Sequence, residues 1–214
     1  MKSTFDNISE KKKQRVINAC IEEFSEHGYD SSSMDGIIKR AGISKGGLYQ
    51  YVSSKEELFT FIVDYTYTSL YNYLKQRVSA EMEILPSDLL DRLKHVSELA
   101  IDFYIDHPKF VYLIVRTSNL ANEKIALGVQ DIFRKHFLEL FGDADTSKLR
   151  YSKGKILELS MWLLLKTRYD FLNEIKTEKD PVKIKQDYMD NWVFYLGIMR
   201  DGIYSINDDQ VKLT

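Results

Sequence analysis

The stretch AGISKGGLYQYVSSKEEL, residues 41–58, places two adjacent glycines at the start of a short predicted helix. Gly46 and Gly47 each make that helix less stable than alanine would, by roughly 1 kcal/mol. Ser44 precedes them, and serine is a residue type that favours a helix N-terminus. A helix with such poor helix formers needs support from its neighbours, and the missing side chains leave its leading turn without bulk.

Three short helices are predicted around this stretch, over 8–27, 34–41 and 45–51. Asn7 and Glu10 have the spacing of a capping box at the start of the first helix, and Gly28 ends it. Ser33 is the predicted N-cap of the second helix, which Gly42 ends. Two helices joined by a short turn that contains glycine are typical of a helix-turn-helix.

The remainder of the chain is also predicted to be helical, because apolar residues recur with the helical period and strand-like alternation is scarce. Ser54 with Glu57 forms a second capping box, and Asp180 followed by Pro181 marks the start of the last helix. The further helices are predicted over 55–80, 87–106, 109–118, 120–141, 148–176 and 181–204. The predicted fold class is therefore all-α, with a three-helix helix-turn-helix head, a larger helical-bundle body and about nine helices in all.

The composition is typical of a globular protein, since 44% of the 214 residues are apolar and 29% are charged. Cys20 is the single cysteine, which excludes an internal disulfide. The first residues contain no apolar segment of the kind that signal peptides have, and the longest strongly apolar run, at 161–165, is too short to span a bilayer. We therefore expect a cytoplasmic protein without a membrane partner.

Neither a metal site nor an enzymatic site is predicted. The histidines, His27, His95, His107 and His136, are scattered without the spacing of metal ligands. The sequence contains no nucleophile elbow and no phosphate-binding loop. We expect no cofactor, and an active site would have to be assembled by the fold from distant residues.

The stretch from Arg15 to Phe59 resembles the TetR (tetracycline repressor) family of transcriptional regulators. The matching residues are Ala19, Phe24, Gly28, Tyr29, Ser33, Ile37, the run Ala41 to Ser44, Gly46, Leu48, Tyr49, Tyr51 and the run Ser54 to Leu58. Two positions depart from the family pattern, with Ile38 where a small alanine is usual and Val52 where phenylalanine is common. Both substitutes are apolar, so we expect altered packing and a retained fold.

The resemblance implies a helix-turn-helix DNA-binding domain over 10–70, with its motif at about 33–52, and a helical effector-binding and dimerisation domain over 71–214. It implies DNA-binding roles for Ser33, Ser44, Lys45, Gly46, Gly47, Tyr49, Gln50 and Lys55. The second helix of such a motif lies in the major groove, where lysine pairs well with guanine and glutamine with adenine. Lys45 and Gln50 are therefore the candidates for contacts with base edges.

The other implied contacts are with the DNA backbone. Ser33 and Ser44, at helix starts, suit phosphate oxygens, Tyr49 suits a phosphate or a thymine methyl group, and Lys55 suits a phosphate. The two glycines would bring the helix backbone close to the DNA, although Gly47 has the alternative of permitting tight packing between helices. The lysines of this set, taken alone, have the alternative of being solvated surface charges.

Tyrosine is abundant in the predicted body, and aromatic residues with polar tips can line a small-molecule cavity. An effector pocket is predicted at Tyr67, Tyr71, Phe103, Tyr112, Trp162 and Lys166. The aromatic residues have the alternative of filling the core. Lys166 would suit an anionic or acyl ligand, and its alternative is to reach the surface or to pair with an acidic residue.

A dimer interface is predicted on the last two helices. Residues 156–165 are apolar almost all round, and the helix over 181–204 carries a broad apolar stripe. The resemblance implies that these helices pack against their mates in a four-helix interface, and the alternative is that they form the core of one protomer. The predicted interface residues are Leu159, Leu163, Trp192, Tyr195, Leu196 and Met199.

These observations together predict a DNA-binding transcriptional regulator that is not an enzyme. We expect a repressor that binds a palindromic double-stranded operator as a homodimer and is released by a small-molecule effector. The alternative is a helical small-molecule or protein-binding module without specific DNA binding. Salt separates the two hypotheses, because the affinity of a DNA-binding protein falls steeply as the salt concentration rises.

Overall fold

A computed structural model describes residues 1–80 and 84–203, and over these residues the chain is helical. The described α-helices are α1 (Ser3–Asp6), α2 (Glu10–Ser31), α3 (Met34–Ala41), α4 (Lys45–Tyr49), α5 (Lys55–Ala80), α6 (Leu89–Asp106), α7 (Pro108–Arg116), α8 (Glu123–Phe141), α9 (Lys153–Thr177) and α10 (Pro181–Ile203). Within these ranges, strand-like pairing is limited to one bridge between Asp88 and Asp145. None of the helices in the described ranges is both long and apolar enough to cross a membrane. The predicted all-α fold class is confirmed.

The N-terminus differs from the prediction by one additional helix. Helix α1 precedes the first predicted helix, and Asn7 is its C-cap, with φ −94° and ψ −1°. Helix α2 begins after Ser9, and no side chain caps it. The predicted capping box of Asn7 and Glu10 is therefore wrong, because Asn7 belongs to the end of the preceding helix.

Two other predicted helix starts are formed by the expected side chains. The Ser54 hydroxyl accepts the Glu57 N–H at 3.1 Å, while the Glu57 carboxylate accepts the N–H of Ser53 at 2.7 Å. The capping box thus closes one residue earlier than predicted. Asp180 caps the first turn of α10 by accepting a backbone N–H at 3.0 Å, and Pro181 occupies the first helical position.

Helix α9 begins later than predicted, because the residues before it form a turn. The Ser147 N–H donates to the Asp145 carboxylate at 2.8 Å, and the Leu149 N–H donates to the Thr146 carbonyl at 3.2 Å. These bonds direct the backbone away from helical geometry until Lys153. The predicted end of the last helix, at residue 204, lies outside the described residues.

The chain divides into two compact units, each with its own core. Unit 1 comprises Met1–Tyr73 and Asp106–His136, and unit 2 comprises Leu74–Ile105 and residues 137–203. The predicted division at 70/71 lies close to Tyr73, but the stretch from Asp106 to His136 belongs to unit 1, which the sequence did not indicate. The assignment of a DNA-binding and an effector domain stays a prediction.

The core of unit 1 is formed where α2, α3, α4 and the start of α5 meet. Phe24 of α2 packs edge-to-face on Phe59 of α5, with 5.0 Å between the ring centroids. Ile37 of α3 and Leu48 of α4 are fully buried, as is Val52 in the following turn. Each short helix thus contributes at least one apolar anchor, which supplies stability that its length does not.

The core of unit 2 is aromatic and lies among α6, α9 and α10. Tyr104 packs against Phe171 at 5.7 Å and against Tyr188 at 6.1 Å between ring centroids. Trp192 is fully buried beside Tyr188. The buried Arg168 donates from Nε to the Tyr104 hydroxyl at 2.9 Å, which gives that hydroxyl a hydrogen-bond partner in the apolar interior.

Candidate nucleic-acid interface

The turn between α3 and α4 is built on one glycine in the left-handed region. Gly42 ends α3 with φ 59° and ψ 42°, a conformation that glycine adopts without the steric cost of a side chain. Its N–H donates to the Lys39 carbonyl, and the next N–H, from Ile43, donates to the Ile38 carbonyl, both at 3.3 Å. The chain then turns into α4 at Ser44, and a helix-turn-helix results.

Both helices of the motif start with the predicted serine caps. The Ser33 hydroxyl accepts the Gly36 N–H at 2.9 Å, and the Ser44 hydroxyl accepts the Gly47 N–H at 3.1 Å. Both serines are exposed. A hydroxyl that accepts a cap bond still has a hydrogen to donate, so each serine can bind a phosphate oxygen at its helix start.

The two adjacent glycines differ in what surrounds them. A Cβ at Gly46 would meet no atom within 4 Å, so nothing in the described residues requires glycine there. A Cβ at Gly47 would lie 3.1 Å from the Ser44 hydroxyl oxygen and would crowd the helix cap. A contact within the protein therefore favours glycine at position 47, whereas position 46 faces open space.

The predicted base-reading side chains are on the exposed face of α4 and just after it. The side chain of Lys45 is 67% exposed, and Gln50 and Tyr49 are exposed as well. The Lys45 ammonium lies 3.3 Å from the Asp35 carboxylate of α3. An ion pair this exposed contributes at most about 1 kcal/mol, so Lys45 can exchange Asp35 for another partner at low cost.

Lys55 has a different environment from the other predicted contacts. Its ammonium donates to the backbone carbonyls of Tyr29, Asp30 and Ser32, at 2.7, 3.3 and 3.1 Å. It also lies 4.5 Å from the centroid of the Tyr29 ring. Lys55 therefore ties the end of α2 to the start of α5, and a phosphate contact requires one of these bonds to be exchanged.

A buried carboxylate that the sequence did not single out organises α2 and α3. Glu23 is 4% exposed, accepts the Ser33 N–H at 3.0 Å and accepts from Arg40 Nε at 3.0 Å. Gly36 makes room for it, since a Cβ at that position would lie 2.5 Å from Glu23 Oε1. The available signal was an acidic residue directly before Phe24 on an apolar helix face.

Helix α7, which belongs to unit 1, is attached to α2 at both of its ends. Lys109 donates to the Glu22 carboxylate at 2.7 Å, and Arg116 donates to the carbonyls of Ser25 and Glu26 at 2.6 and 2.9 Å. The hydrogen bond from Lys109 lowers the pKa of Glu22 below its usual value. The sequence did not identify these contacts, because they join residues far apart in the chain.

The residues predicted for an effector pocket are divided between the units. Tyr67 and Tyr71 lie against His136 in unit 1, with ring centroids 6.1 and 5.8 Å away. The half-buried Tyr112 is also in unit 1. In unit 2 Phe103 is buried, Trp162 is 59% exposed, and the Lys166 ammonium is bound by Asp170 at 2.5 Å and by the Tyr195 hydroxyl at 3.2 Å. The pocket stays a prediction.

Unit 2 contains a cavity of about 560 Å³ between the end of α5, α6 and α10. Its polar lining includes Arg77, Glu98, Asp102 and Lys185, and its apolar lining includes Met189. Lys185 and Asp102 form an ion pair at 3.0 Å there. Among the described residues that line it, none belongs to the predicted pocket, so the sequence did not indicate this cavity.

The residues predicted for a dimer interface fall into two groups. Leu163, Trp192 and Leu196 are buried within unit 2 and belong to the core of their own chain. Leu159 is 38% exposed, while Tyr195 and Met199 are half-buried. Apart from Leu159 and from Val182 in the first turn of α10, the large exposed apolar residues of these helices are Trp162 and Tyr169 on α9 and Val193, Phe194 and Ile198 on α10. This set is called the α9–α10 apolar face below.

The fold and this site define a helix-turn-helix protein whose second motif helix presents polar residues and an unobstructed glycine. Residues 16–60 match the family model for bacterial regulatory proteins, tetR family. The matched segment comprises the helix-turn-helix, which is therefore of the type found in TetR-family regulators, and the relatives that match more of the chain are named as transcriptional regulators.

The relatives with assigned roles include a negative regulator and an activator of transcription. The negative transcriptional regulator IcaR of the Staphylococcus epidermidis biofilm operon icaADBC is 24% identical over 182 residues, which cover 71% of this chain and 98% of IcaR. The transcriptional activator FasR of Mycolicibacterium smegmatis is 29% identical over 114 residues, which cover 53% of this chain and 49% of FasR.

Among solved structures, the transcriptional regulator FadR of Bacillus subtilis in complex with stearoyl-CoA superposes with a TM-score of 0.65. The match covers 84% of this chain and 97% of FadR, at 15% identity. At an identity this low, the likeness shows a shared fold and nothing more. That fold is the helical architecture described above.

Proposed function

We propose that this regulator represses transcription by binding a palindromic operator as a homodimer, and that a small-molecule effector releases it from the DNA. The exposed residues of the motif carry the DNA part of the proposal. Ser33 and Ser44 bind phosphates at the two helix starts, Lys45 and Gln50 contact base edges, and Tyr49 contacts a phosphate or a thymine methyl group.

The observation that carries this proposal is the open space at Gly46. A helix in the major groove approaches the bases with its N-terminal turn, and bulk on that turn limits the depth of approach. A glycine in a helix interior is destabilising, and no packing contact in the described residues requires this one. Close approach to DNA would explain a glycine at this position, which supports the proposal.

The α9–α10 apolar face supports the homodimer. Its exposed members are Trp162 and Tyr169 on one helix and Val193, Phe194 and Ile198 on the other. Exposed apolar side chains clustered on packed helices are typical of interaction surfaces. A two-fold dimer presents two motifs, which matches the symmetry of a palindrome, and this face is the one proposed for dimerisation.

Effector binding is proposed for the body of the protein, and two sets of residues are candidates. One is the predicted set of Tyr67, Tyr71, Phe103, Tyr112, Trp162 and Lys166. The other is the unit 2 cavity, whose volume of about 560 Å³ is within the range of small-molecule sites. An effector that lowers operator affinity must itself bind less tightly to the operator complex, by the same factor. The regulator is proposed to act in the cytoplasm.

Selection from a random-sequence duplex library tests the proposal. Wild-type protein is expected to enrich a palindrome. Lys45→Ala and Gln50→Ala are each expected to weaken binding to the selected duplex by about tenfold, since one base contact is worth ~1–3 kcal/mol. Lys75→Ala, which removes an exposed charge of α5, is the matched control and should bind like the wild type.

The alternative function, a helical binding module without specific DNA recognition, has its own signature. Such a protein enriches no common sequence from the library, and the two substitutions in α4 leave its weak DNA binding unchanged. Enrichment of a sequence that is not palindromic would retain DNA recognition and refute the homodimer arrangement.

A further inference from the structure

Helix α1 and the residue before it lie against the end of α4. The Lys2 ammonium donates to the Tyr49 carbonyl at 2.9 Å, the Thr4 hydroxyl donates to the Gln50 carbonyl at 2.5 Å, and the Lys2 N–H donates to the Tyr51 carbonyl at 2.8 Å. Three successive carbonyls, beginning with that of the last residue of α4, therefore accept hydrogen bonds from one short N-terminal segment, Lys2–Phe5.

Phe5 anchors this segment in the core of unit 1. Its side chain is 3% exposed and packs edge-on against Tyr51 and Phe61, with ring centroids 5.6 and 5.8 Å away. Burying an aromatic side chain stabilises its position more than the contacts of an exposed side chain do. Phe5 thus fixes the segment to Tyr51, which follows the C-cap of α4.

Helix α4 depends on such support. It has five residues, and an isolated helix of that length does not form in water. The last carbonyls of a helix lack partners within the helix, and here residues outside it must supply donors. The Lys2 ammonium is a cation at the C-terminal end of α4, where the helix dipole favours positive charge. The segment therefore determines the orientation of the residues at which α4 ends.

We propose that Thr4 and Phe5, with the backbone and ammonium of Lys2, are positioning residues that set the orientation of α4 for reading DNA. The inference rests on the proposed function, because it assumes that Tyr49 and Gln50 contact the operator. Their carbonyls are the ones that the segment binds, so a movement of the segment moves both side chains relative to the DNA.

A positioning role has a signature that a purely stabilising role lacks. Base contacts require accurate geometry, whereas attraction between lysines and phosphates tolerates small displacements. Loss of the segment should therefore reduce affinity for the specific sequence and leave affinity for unrelated DNA unchanged. A residue that served only stability would change the melting temperature and leave the ratio of the two affinities as it was.

The test uses the duplex that wild-type protein selects from a random library and a scrambled duplex of the same composition. Phe5→Ala is expected to lower affinity for the selected duplex by about tenfold, as the loss of one base contact would. Thr4→Val replaces the hydroxyl by a methyl group and should lower affinity for the selected duplex by about threefold. Thr4→Ser keeps the hydroxyl and should bind the selected duplex like the wild type. Ser3→Ala changes an exposed residue of the same segment and is the matched control.

Affinity for the scrambled duplex should stay within about twofold in every variant, and the salt dependence should keep its slope, because no phosphate contact is lost. Equal losses on both duplexes, or unchanged specific affinity in the Thr4 and Phe5 variants, would overturn the positioning role. If Phe5→Ala does not fold, the Thr4 pair decides, since Thr4 is exposed. Wild-type protein that selects no sequence refutes the proposed function and this inference together, whereas a selective wild type with indifferent variants refutes the inference alone.

Discussion

Helices α4 and α10 are stable for opposite reasons. Helix α4 has five residues, two of them glycines, and it is supported by the Ser44 cap, by the buried Leu48 and by the segment Lys2–Phe5. Helix α10 has 23 residues and buries its own large side chains, including Trp192. A helix that is supported from outside can expose its backbone, and a helix that is supported by its own side chains can expose an apolar face.

The comparison also separates two kinds of sensitivity to substitution. In α10 the free energy of unfolding should depend on buried side chains, and the oligomeric state on exposed ones. In α4 the free energy of unfolding should depend on neighbouring residues and on the buried Leu48, while substitutions of its exposed side chains should act mainly on DNA binding. Substitutions of decreasing expected effect test this division.

The largest effect is expected in the core of α10. Trp192→Ala should lower the free energy of unfolding by about 3–5 kcal/mol, because it removes a fully buried aromatic side chain. Urea unfolding at fixed protein concentration measures this. Val182→Ala, at a 77% exposed position in the first turn of the same helix and outside the α9–α10 apolar face, is the control and should change stability by less than about 0.5 kcal/mol. Similar losses in both variants would show that burial does not distinguish the two faces of α10.

The next effect concerns the support of the motif by α2 and α3. Gly36→Ala should lower the free energy of unfolding by about 1–3 kcal/mol, because the new Cβ would displace the buried Glu23 carboxylate. Gly128→Ala in α8 is a matched control, since a Cβ there meets no atom within 4 Å. Thermal unfolding of both variants compares them. A Gly36→Ala protein that is as stable as the control variant would contradict the close contact.

The exposed side of α10 should govern association. Phe194→Asp should raise the dissociation constant of the proposed homodimer by about tenfold or more, because a charge would replace an apolar contact at the interface. Leu127→Asp introduces the same charge at a similarly exposed apolar position in unit 1 and should not change association. Sedimentation velocity over a range of concentrations distinguishes these results. Equal dissociation in both variants would place the interface elsewhere.

A smaller effect is expected within α4. Gly46→Ala should raise the free energy of unfolding by up to about 1 kcal/mol, because alanine is the better helix former and the space is open. The same variant should bind the selected duplex more weakly than the wild type does. Gly47→Ala should gain less stability, since its Cβ would crowd the Ser44 hydroxyl. Gly46→Ala with undiminished specific affinity would remove the main support for close approach to DNA.

The smallest effect lies in the turn before α10. Glu178 accepts hydrogen bonds from the N–H groups of Asp180 and Lys179 and from the Lys183 ammonium, and these bonds lower its pKa from 4.5 to about 2. A carboxylate whose pKa is lower in the folded than in the unfolded state stabilises the fold above the unfolded value.

The difference in unfolding free energy between the wild type and Glu178→Gln should therefore be complete above pH 4.5 and should decline to zero as the pH falls toward 2. Unfolding curves at a series of pH values in low salt measure it, with the exposed Glu158→Gln as the control variant. A difference that does not vary with pH over this interval would contradict the ionic origin of the effect.

Local signals made much of the motif predictable. Ser33, Ser44 and Gly42 each act through bonds to residues three or four positions away, so a short stretch of sequence contains the whole interaction. Glu23 acts through partners ten and seventeen residues away, at Ser33 and Arg40, and no pattern in the sequence joins them. The same limit applies to Lys55, whose carbonyl partners lie in a different helix.

The extent of the long helices could be predicted from the sequence, but which face of each helix is buried could not. The apolar stripes of α9 and α10 predicted buried helices, but a helix that is apolar on several sides does not indicate which side is covered by its own chain. Trp192 and Leu196 turned inward, and Phe194 and Ile198 remained exposed. That choice depends on residues distant in the sequence, since the buried face of α10 also carries Tyr188, which packs against Tyr104 and Phe171.

The contact between Glu23 and Gly36 has an evolutionary consequence. A side chain at position 36 requires the carboxylate at position 23 to move or to be lost, and either change gives up its bonds with the Ser33 N–H and Arg40 Nε, while Arg40 keeps its bond with Glu26. Substitution at position 36 therefore carries a cost in stability whether or not the protein binds DNA. Position 46 has open space, so under the proposed function DNA binding, and not folding, would penalise its replacement. In a descendant lineage, alanine at position 46 beside an unchanged glycine at position 36 would be the historical mark of a regulator that had lost its DNA target and kept its fold.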